Sequence, residues 1–247
     1  MTTEKDPNVL FFVDSDIDRS ASIFTSLITA QNGAFAQPSE ICKKIALADP
    51  GRPIRVVINT LGGALVSTEK ILKKLKKHPK GYIVYVRNEC YSAGSLIALG
   101  GDKIVMNDDS YIGKIDPQSD QKSVVVYLQI DPNHVDSRNA FEVETATNIV
   151  NYTEKILGLT GLPANTLKKV KQQLLYSRFP HEALFGMKDC KKMGLNVCSP
   201  NTEEEIYFSP ILEIPKETSW DCTKWACGCF FLIVSVLVLC LFYKVLA

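Results

Sequence analysis

Histidine and tryptophan are scarce in this chain, with three and two residues among 247. So few histidines leave little material for a metal centre, and the cysteines show no metal-ligand spacing that would supply one. An excess of either charge is lacking too. Lys and Arg number 28 against 27 Asp and Glu, a formal +1, which excludes the long-range field that would make nucleic acid the main partner. The lysines of "KILKKLKKHPK" (Lys70 to Lys80) read as the solvated face of an amphipathic helix. Internal repeats and low-complexity tracts are absent. What is present is an ordinary globular composition, 46% hydrophobic and 22% charged, in a chain long enough to bury a full core as one domain with an appendage.

A disulfide framework is missing as well. Cys42, Cys90, Cys190 and Cys198 are scattered, whereas Cys222, Cys227, Cys229 and Cys240 crowd the C-terminus, a pattern expected of reduced thiols in a cytosol-facing protein. The sequon Asn151-Tyr152-Thr153 then reads as a chance match. The start, "MTTEKDPNVLFFVDSDID", is too polar and acidic for a secretory leader. Near the other end, "ACGCFFLIVSVLVLCLFY" (Ala226 to Tyr243) is an uncharged apolar run of 18 residues, about 27 Å as a helix. Trp220 and Trp225 precede it, and Lys224 and Lys244 bracket it, the pattern of interfacial anchors. The expectation is a tail-anchored, single-pass membrane protein with Met1 to about Trp220 in the cytosol. The endoplasmic reticulum and the mitochondrial outer membrane remain equal candidates. Cys222, Cys227 and Cys229 are open to either palmitoylation or helix packing.

Between these ends the chain alternates strand and helix signals. "VLFFVD" (Val9 to Asp14), "RPIRVVIN" (Arg52 to Asn59), "GYIVYVR" (Gly81 to Arg87) and "KIVMN" (Lys103 to Asn107) are short β-branched or aromatic runs. Helices are expected over Asp18 to Gln31, Ser39 to Ala48, Ala64 to Lys77 and, short and buried, Ser92 to Gly101. After Pro132 the pattern becomes mostly helical: Asn139 to Leu159, Pro163 to Leu175 and His181 to Gly194. Alternating strands and helices predict an α/β fold with a mainly parallel sheet and helices on its faces. The domain is expected to span 1–206, a proline-punctuated linker 207–225 and the anchor 226–243.

Two turns carry the chemistry. In "NTLGG", Gly62 and Gly63 follow a buried strand and open a helix, so their amides can face a ligand with no side chain in the way. In "YSAGS", Ser92 ends the next strand and opens the next helix, with the Ala93 amide beside its hydroxyl. Gly-Gly turns and serine caps are common singly. Their order after neighbouring strands makes the pair specific: two halves of an oxyanion hole around a serine.

The segment Ile58 to Gln118 resembles the serine dehydrogenase proteinase family, membrane-associated relatives of ClpP and signal peptide peptidase A. The family patterns are His-Thr-Pro-Gly-Gly, Met-Ser-Gly-Gly-Thr-Leu-Ile-Ala-Leu and Leu-Gly-Pro-Val-Asp-Pro-Gln. They are matched here by Thr60, Gly62 and Gly63, by Ser92, Gly94, Leu96, Ile97, Ala98 and Leu99, and by Gly113, Asp116, Pro117 and Gln118. A fainter echo lies in Phe179 to Val197. The resemblance implies the ClpP/crotonase-like fold of stacked ββα units, homo-oligomeric assembly and a serine peptidase acting on peptide or protein substrates. It also implies Ser92 as nucleophile with the amides of Gly63 and Ala93 as the oxyanion hole. No cofactor is expected, and no nucleotide-binding loop accompanies the Gly-Gly turn, so any ATP requirement would come from a partner.

The general base is not assigned by these blocks. Asp116-Pro117-Gln118 occupies the place of the ClpP histidine, and His78, His134 and His181 fall in no recognisable triad position. A serine-lysine dyad is therefore expected, with Lys155 as first choice because Ile149, Tyr152 and Ile156 offer its helix an apolar face to hold it inward. Lys114 and Lys122 are the alternatives. Asn59, Leu61 and Lys114 stand where the family commonly has His, Pro and Pro, and Ser177-Arg178 replaces an expected His-Asp. Two further functions stay open: a catalytically silent scaffold at a membrane, and a crotonase-like thioester chemistry, for which no pocket glutamates or coenzyme A site are identified.

Overall fold

The computed structural model describes residues 6–13, 38–119, 122–130, 135 and 140–208. The anchor at 226–243 and the helix expected over Asp18 to Gln31 lie outside them, and among the described residues no helix is long and apolar enough to cross a membrane. A seven-stranded, mainly parallel sheet forms the centre. Its main path runs β1 (Val9–Val13), β2 (Ile54–Thr60), β3 (Tyr82–Cys90), β4 (Lys103–Met106), then a late strand Val197–Cys198. Helices α1 (Pro38–Leu47), α2 (Leu65–Lys76) and α3 (Ala93–Leu99) are the crossovers. This is the mixed α/β architecture the alternating pattern predicts.

Each strand is β-branched or aromatic on both faces because both faces are buried. Val56, Ile58, Val84, Val86, Ile104 and Met106 join one large apolar cluster with Ile71, Leu72 and Leu75 of α2 and Leu96 and Ile97 of α3. Residues one step out of phase, Val57, Tyr85 and Val105, are paired across three strands and point to the opposite face. There Tyr207, in a 3-10 turn at Glu204–Phe208, stacks on Tyr85 with ring centroids 4.3 Å apart. The folded body thus continues through Phe208, past the start of the expected linker. On α2, Lys70, Lys73, Lys74 and Lys76 are exposed, as a solvated lysine face requires, and basic residues in its last turn complement the helix dipole.

Two features of β3 aim the chain at the site. The strand runs three residues beyond Arg87, and its register with β2 shifts between Ile58–Val86 and Thr60–Cys90. The Asn59 side chain fills the irregularity by accepting the Glu89 amide at 3.2 Å. Beyond the shift β3 leaves β4 and pairs with β5 (Tyr111–Gly113) through Glu89–Tyr111 and Cys90–Ile112. One strand end thereby brings Tyr91-Ser92 beside Gly113-Lys114.

The C-terminal half is α4 (Ala140–Gly158), α5 (Ala164–Val170) continuing into a π-helical turn at Lys171–Leu175, and α6 (Met187–Met193). Two short strands, Gln118–Ser119 and Lys122–Ser123, pair antiparallel ahead of a 3-10 turn at Val124–Gln129. The helix expected over His181 to Gly194 starts only at Met187. Its first part is instead a strand, Leu184–Phe185, antiparallel to β5 through Ile112–Phe185 and Gly113–Leu184. Pro180 before it and Gly186 after it break the helical period, and the open edge of β5 supplies the partners.

Candidate active site

Ser92 closes the sharp turn between β3 and α3, and it is the one non-glycine residue with positive φ among the described residues, at φ 49°, ψ −114°. A Cβ-bearing residue held there is strained by about 1–3 kcal/mol, and the surroundings enforce it. The Ser92 amide donates to the Lys114 carbonyl at 3.0 Å, the Gly94 amide to the Tyr91 carbonyl at 2.8 Å and the Leu96 amide to the Ser92 carbonyl at 3.1 Å. Ser92 occupies the helix cap, yet its side chain makes no capping hydrogen bond. A strained backbone with an unspent hydroxyl is not what a capping role needs. It is what a presented nucleophile needs.

The glycines explain why the two turns can meet. Gly62 has φ +120°, and a Cβ on it would lie 2.8 Å from the Ser92 Cβ and 3.3 Å from its Oγ. The Gly62 amide is turned back onto Thr60 Oγ1 at 3.2 Å, so Gly62 does not offer its amide to an oxyanion. Ala93, the first residue of α3, is buried behind Ser92. At Gly94 a Cβ would come within 2.5 Å of Thr60 Cγ2, so α3 can sit on the end of β2 only with glycine there. Gly62, Gly94 and Ser92 form one packed unit with the end of β2.

Two residues past the Lys114 carbonyl that holds the Ser92 amide, Asp116 is fully buried. Its Oδ1 lies 2.8 Å from Nδ1 of His181, and the Gln118 amide donates to its Oδ2 at 3.0 Å. Burial pushes the Asp116 carboxyl up, but hydrogen bonds from His181 and Ser123 and the charge of Lys114 outweigh this and leave it below its usual value. An ionised carboxylate can only accept, which favours the tautomer with the proton on His181 Nδ1 and Nε2 as acceptor, while the Gln118 side-chain amide, 3.1 Å from the same Nδ1, favours the other. His181 lies three residues before the strand paired with β5, and the neighbouring Glu182 charge is felt at Tyr91. The histidine segment and the serine turn therefore border the same stretch, 112–116.

Lys155 lies elsewhere. Its side chain is 60% exposed and paired with Glu69 of α2 at 3.1 Å, with the ammonium 5.4 Å from the Tyr152 ring centroid. Glu69 also takes Lys73 at 2.7 Å and the Tyr152 hydroxyl. The apolar neighbours expected to hold Lys155 inward instead face the core without it. Lys122 is exposed. Lys114 is 2% exposed, its Nζ 3.4 Å from Asp116 Oδ2. Of the histidines, His134 falls outside the described residues, and His78 has both ring nitrogens buried without a hydrogen-bond partner. A cavity of about 600 Å³ is lined by Lys169, Phe179, Leu184, Phe185, Lys192 and Met193, and neither Ser92 nor His181 belongs to it. Among the described residues no group of side chains could hold a metal ion.

Sequence reasoning missed His181 because its partner is 65 residues away. The one local signal was a histidine beside Pro180 in the block that echoes the family's final helix.

A strained serine with a two-glycine turn packed on it, at the end of a strand in a mainly parallel α/β scaffold with flanking helices, is consistent with a ClpP-like build. Residues 33–218 match the model of the ClpP-like SDH-type serine proteinases, and the chain belongs to that family. Two uncharacterized proteins of Methanocaldococcus jannaschii are similar to it. MJ0137 is 29% identical over 185 residues, 72% of this chain and 64% of that protein. MJ1495 is 25% identical over 174 residues, 68% and 59%. The chain thus spans about three fifths of the length of these curated relatives.

Proposed function

We propose that the chain hydrolyses peptide bonds with Ser92 as nucleophile, His181 as general base and Asp116 as the group that orients the imidazole. The Ser92 Oγ–H proton passes to His181 Nε2 as Oγ bonds to the scissile carbonyl carbon. The resulting oxyanion is met by the amides of Gly63 and Ala93. His181 then returns the proton to the leaving amine, and water repeats the cycle on the acyl-serine. The observation that carries this reading is Ser92 itself, held at positive φ with a hydroxyl its helix does not use. The serine-lysine dyad with Lys155 is the competing assignment. It would require that ammonium to leave an exposed ion pair and lose its charge, and no burial favours that. Tethering through 226–243, a cytosolic orientation, assembly of identical copies and a substrate near the bilayer are parts of the same proposal, supported by the uncharged run and its flanking tryptophans.

The test is covalent labelling of the full chain by a fluorophosphonate probe, alongside hydrolysis of a peptide library. Ser92→Ala is expected to abolish both. His181→Ala should lower labelling and turnover by at least about 10³-fold, and Lys155→Ala should leave both within about threefold. Labelling that survives Ser92→Ala sinks the proposal. Activity lost in Lys155→Ala but kept in His181→Ala transfers the base to Lys155, and a parent that neither labels nor cleaves is a scaffold.

A further inference from the structure

From Tyr176 to Leu184 no residue is buried, although this segment carries His181 to a carboxylate that is fully buried. Apolar packing touches the segment only at Ala183, which rests on the core, and at Phe179, edge-on to Phe185, and its far end is held by Leu184 pairing with Gly113 of β5. The first part is tied down by Lys114. Its Nζ donates to the Ser177 carbonyl at 2.9 Å and to the Phe179 carbonyl at 2.8 Å, with Asp116 Oδ2 at 3.4 Å. An ammonium has three N–H donors and here meets three acceptors, so the head group is not left unpartnered at 2% exposure. The same residue's carbonyl takes the Ser92 amide at 3.0 Å, and the next amide, of Ile115, donates to the Leu174 carbonyl at 2.9 Å. One residue is thus tied by its main chain to the nucleophile's turn and by its side chain to the histidine's segment.

We propose that Lys114 is a positioning residue for His181. It latches 177–179 so that the imidazole meets Asp116, and it partly offsets the buried carboxylate so that this stays an acceptor for Nδ1–H. The proposal rests on the reading of His181 as base. Lysine suits the task because its stem spans the buried layer while its head offers donors in a tetrahedral spread to acceptors on different sides; a planar guanidinium offers a fork instead.

The test compares Lys114→Met and Lys114→Arg in the full chain. It uses steady-state peptide hydrolysis, thermal unfolding and the His181 ring N–H signal by nitrogen-15 NMR, assigned by its absence in His181→Ala. Lys114→Met is expected to melt cooperatively, to lose about 100-fold in kcat with KM within about twofold, as misplacement of a catalytic group does, and to lose or broaden the Nδ1–H signal. Lys114→Arg, which keeps charge and donors, should recover at least about tenfold of the rate and the signal. Should the methionine variant fail to fold, Lys114→Gln, which retains an amide donor, carries the same comparison. A kcat within threefold of the parent with an unchanged ring signal overturns the proposal. So does collapse of folding in both neutral variants, which would make Lys114 a residue of the fold alone. Because the ring signal does not depend on turnover, it judges Lys114 even where His181→Ala stays active and the base assignment itself falls.

Discussion

The serine half and the histidine half of the proposed site are held by different physics. Ser92, Gly62 and Gly94 are fixed by main chain: strand ends, a helix start and contacts so close that a single Cβ has no room. His181 is fixed by side chains reaching across 65 residues to buried charge, on a segment in which no residue from Tyr176 to Leu184 is buried. Steric fixation is indifferent to salt and pH. Electrostatic fixation depends on every donor and charge staying in place. The serine side is therefore expected to stay organised under conditions that disorder the histidine side.

Breaking the electrostatic half should give the largest effect. Asp116→Asn replaces an acceptor-only group with one that can donate to Nδ1, favouring the wrong tautomer, and kcat is expected to fall about 10⁴-fold with the protein folded. A single-turnover acylation assay checks it, and fluorophosphonate labelling should fall in parallel. Gly62→Ala attacks the steric half. A Cβ 2.8 Å from the Ser92 Cβ at φ +120° should cost about 1–3 kcal/mol in urea unfolding and on the order of 100-fold in kcat. A variant as active as the parent would mean that the two turns have room to separate.

Glu69 sharpens the comparison from outside the site. Hydrogen bonds from Lys73, Tyr152 and Lys155 lower its carboxyl to about 2 against an ordinary 4.5. A folded value below the unfolded one gives stability that is present above about pH 4.5 and is lost as pH falls toward 2. Both lysines are about half exposed or more, so solvent screening limits this to about 1 kcal/mol. Denaturant titrations at pH 6 and pH 3 of the parent and Glu69→Gln measure it, the difference between the two proteins narrowing at the lower pH. The smallest effect is that of Lys155→Ala, under about 1 kcal/mol in the same titration.

The sheet was readable from sequence because each buried strand is a short β-branched run, and the Ser92 and Gly62 turns because their demands are local and fall on small residues. Three things were not local. β5 and Leu184–Phe185 are each too short to carry a period; β5 exists by pairing with the end of β3, and Leu184–Phe185 by pairing with β5. The extension of β3 depends on an irregularity that Asn59 fills from another strand. Lys155 shows the limit of periodicity: apolar residues at suitable spacing do pack inward, yet a carboxylate on α2 draws the lysine outward. Lys114 shows the converse, since nothing in "YIGKIDPQ" marks its side chain as the most enclosed cation near the site.

The stacking of Tyr207 and Phe208 on Tyr85 sets a boundary for proteolysis. Tyr85 belongs to the central strand that delivers Ser92, and its aromatic cover comes from the last described turn of the chain. A cut beyond Phe208 leaves that cover intact. A cut a few residues earlier strips the outer face of the strand that leads to Ser92, so less than one helical turn separates a cut the fold absorbs from one that uncovers its central strand.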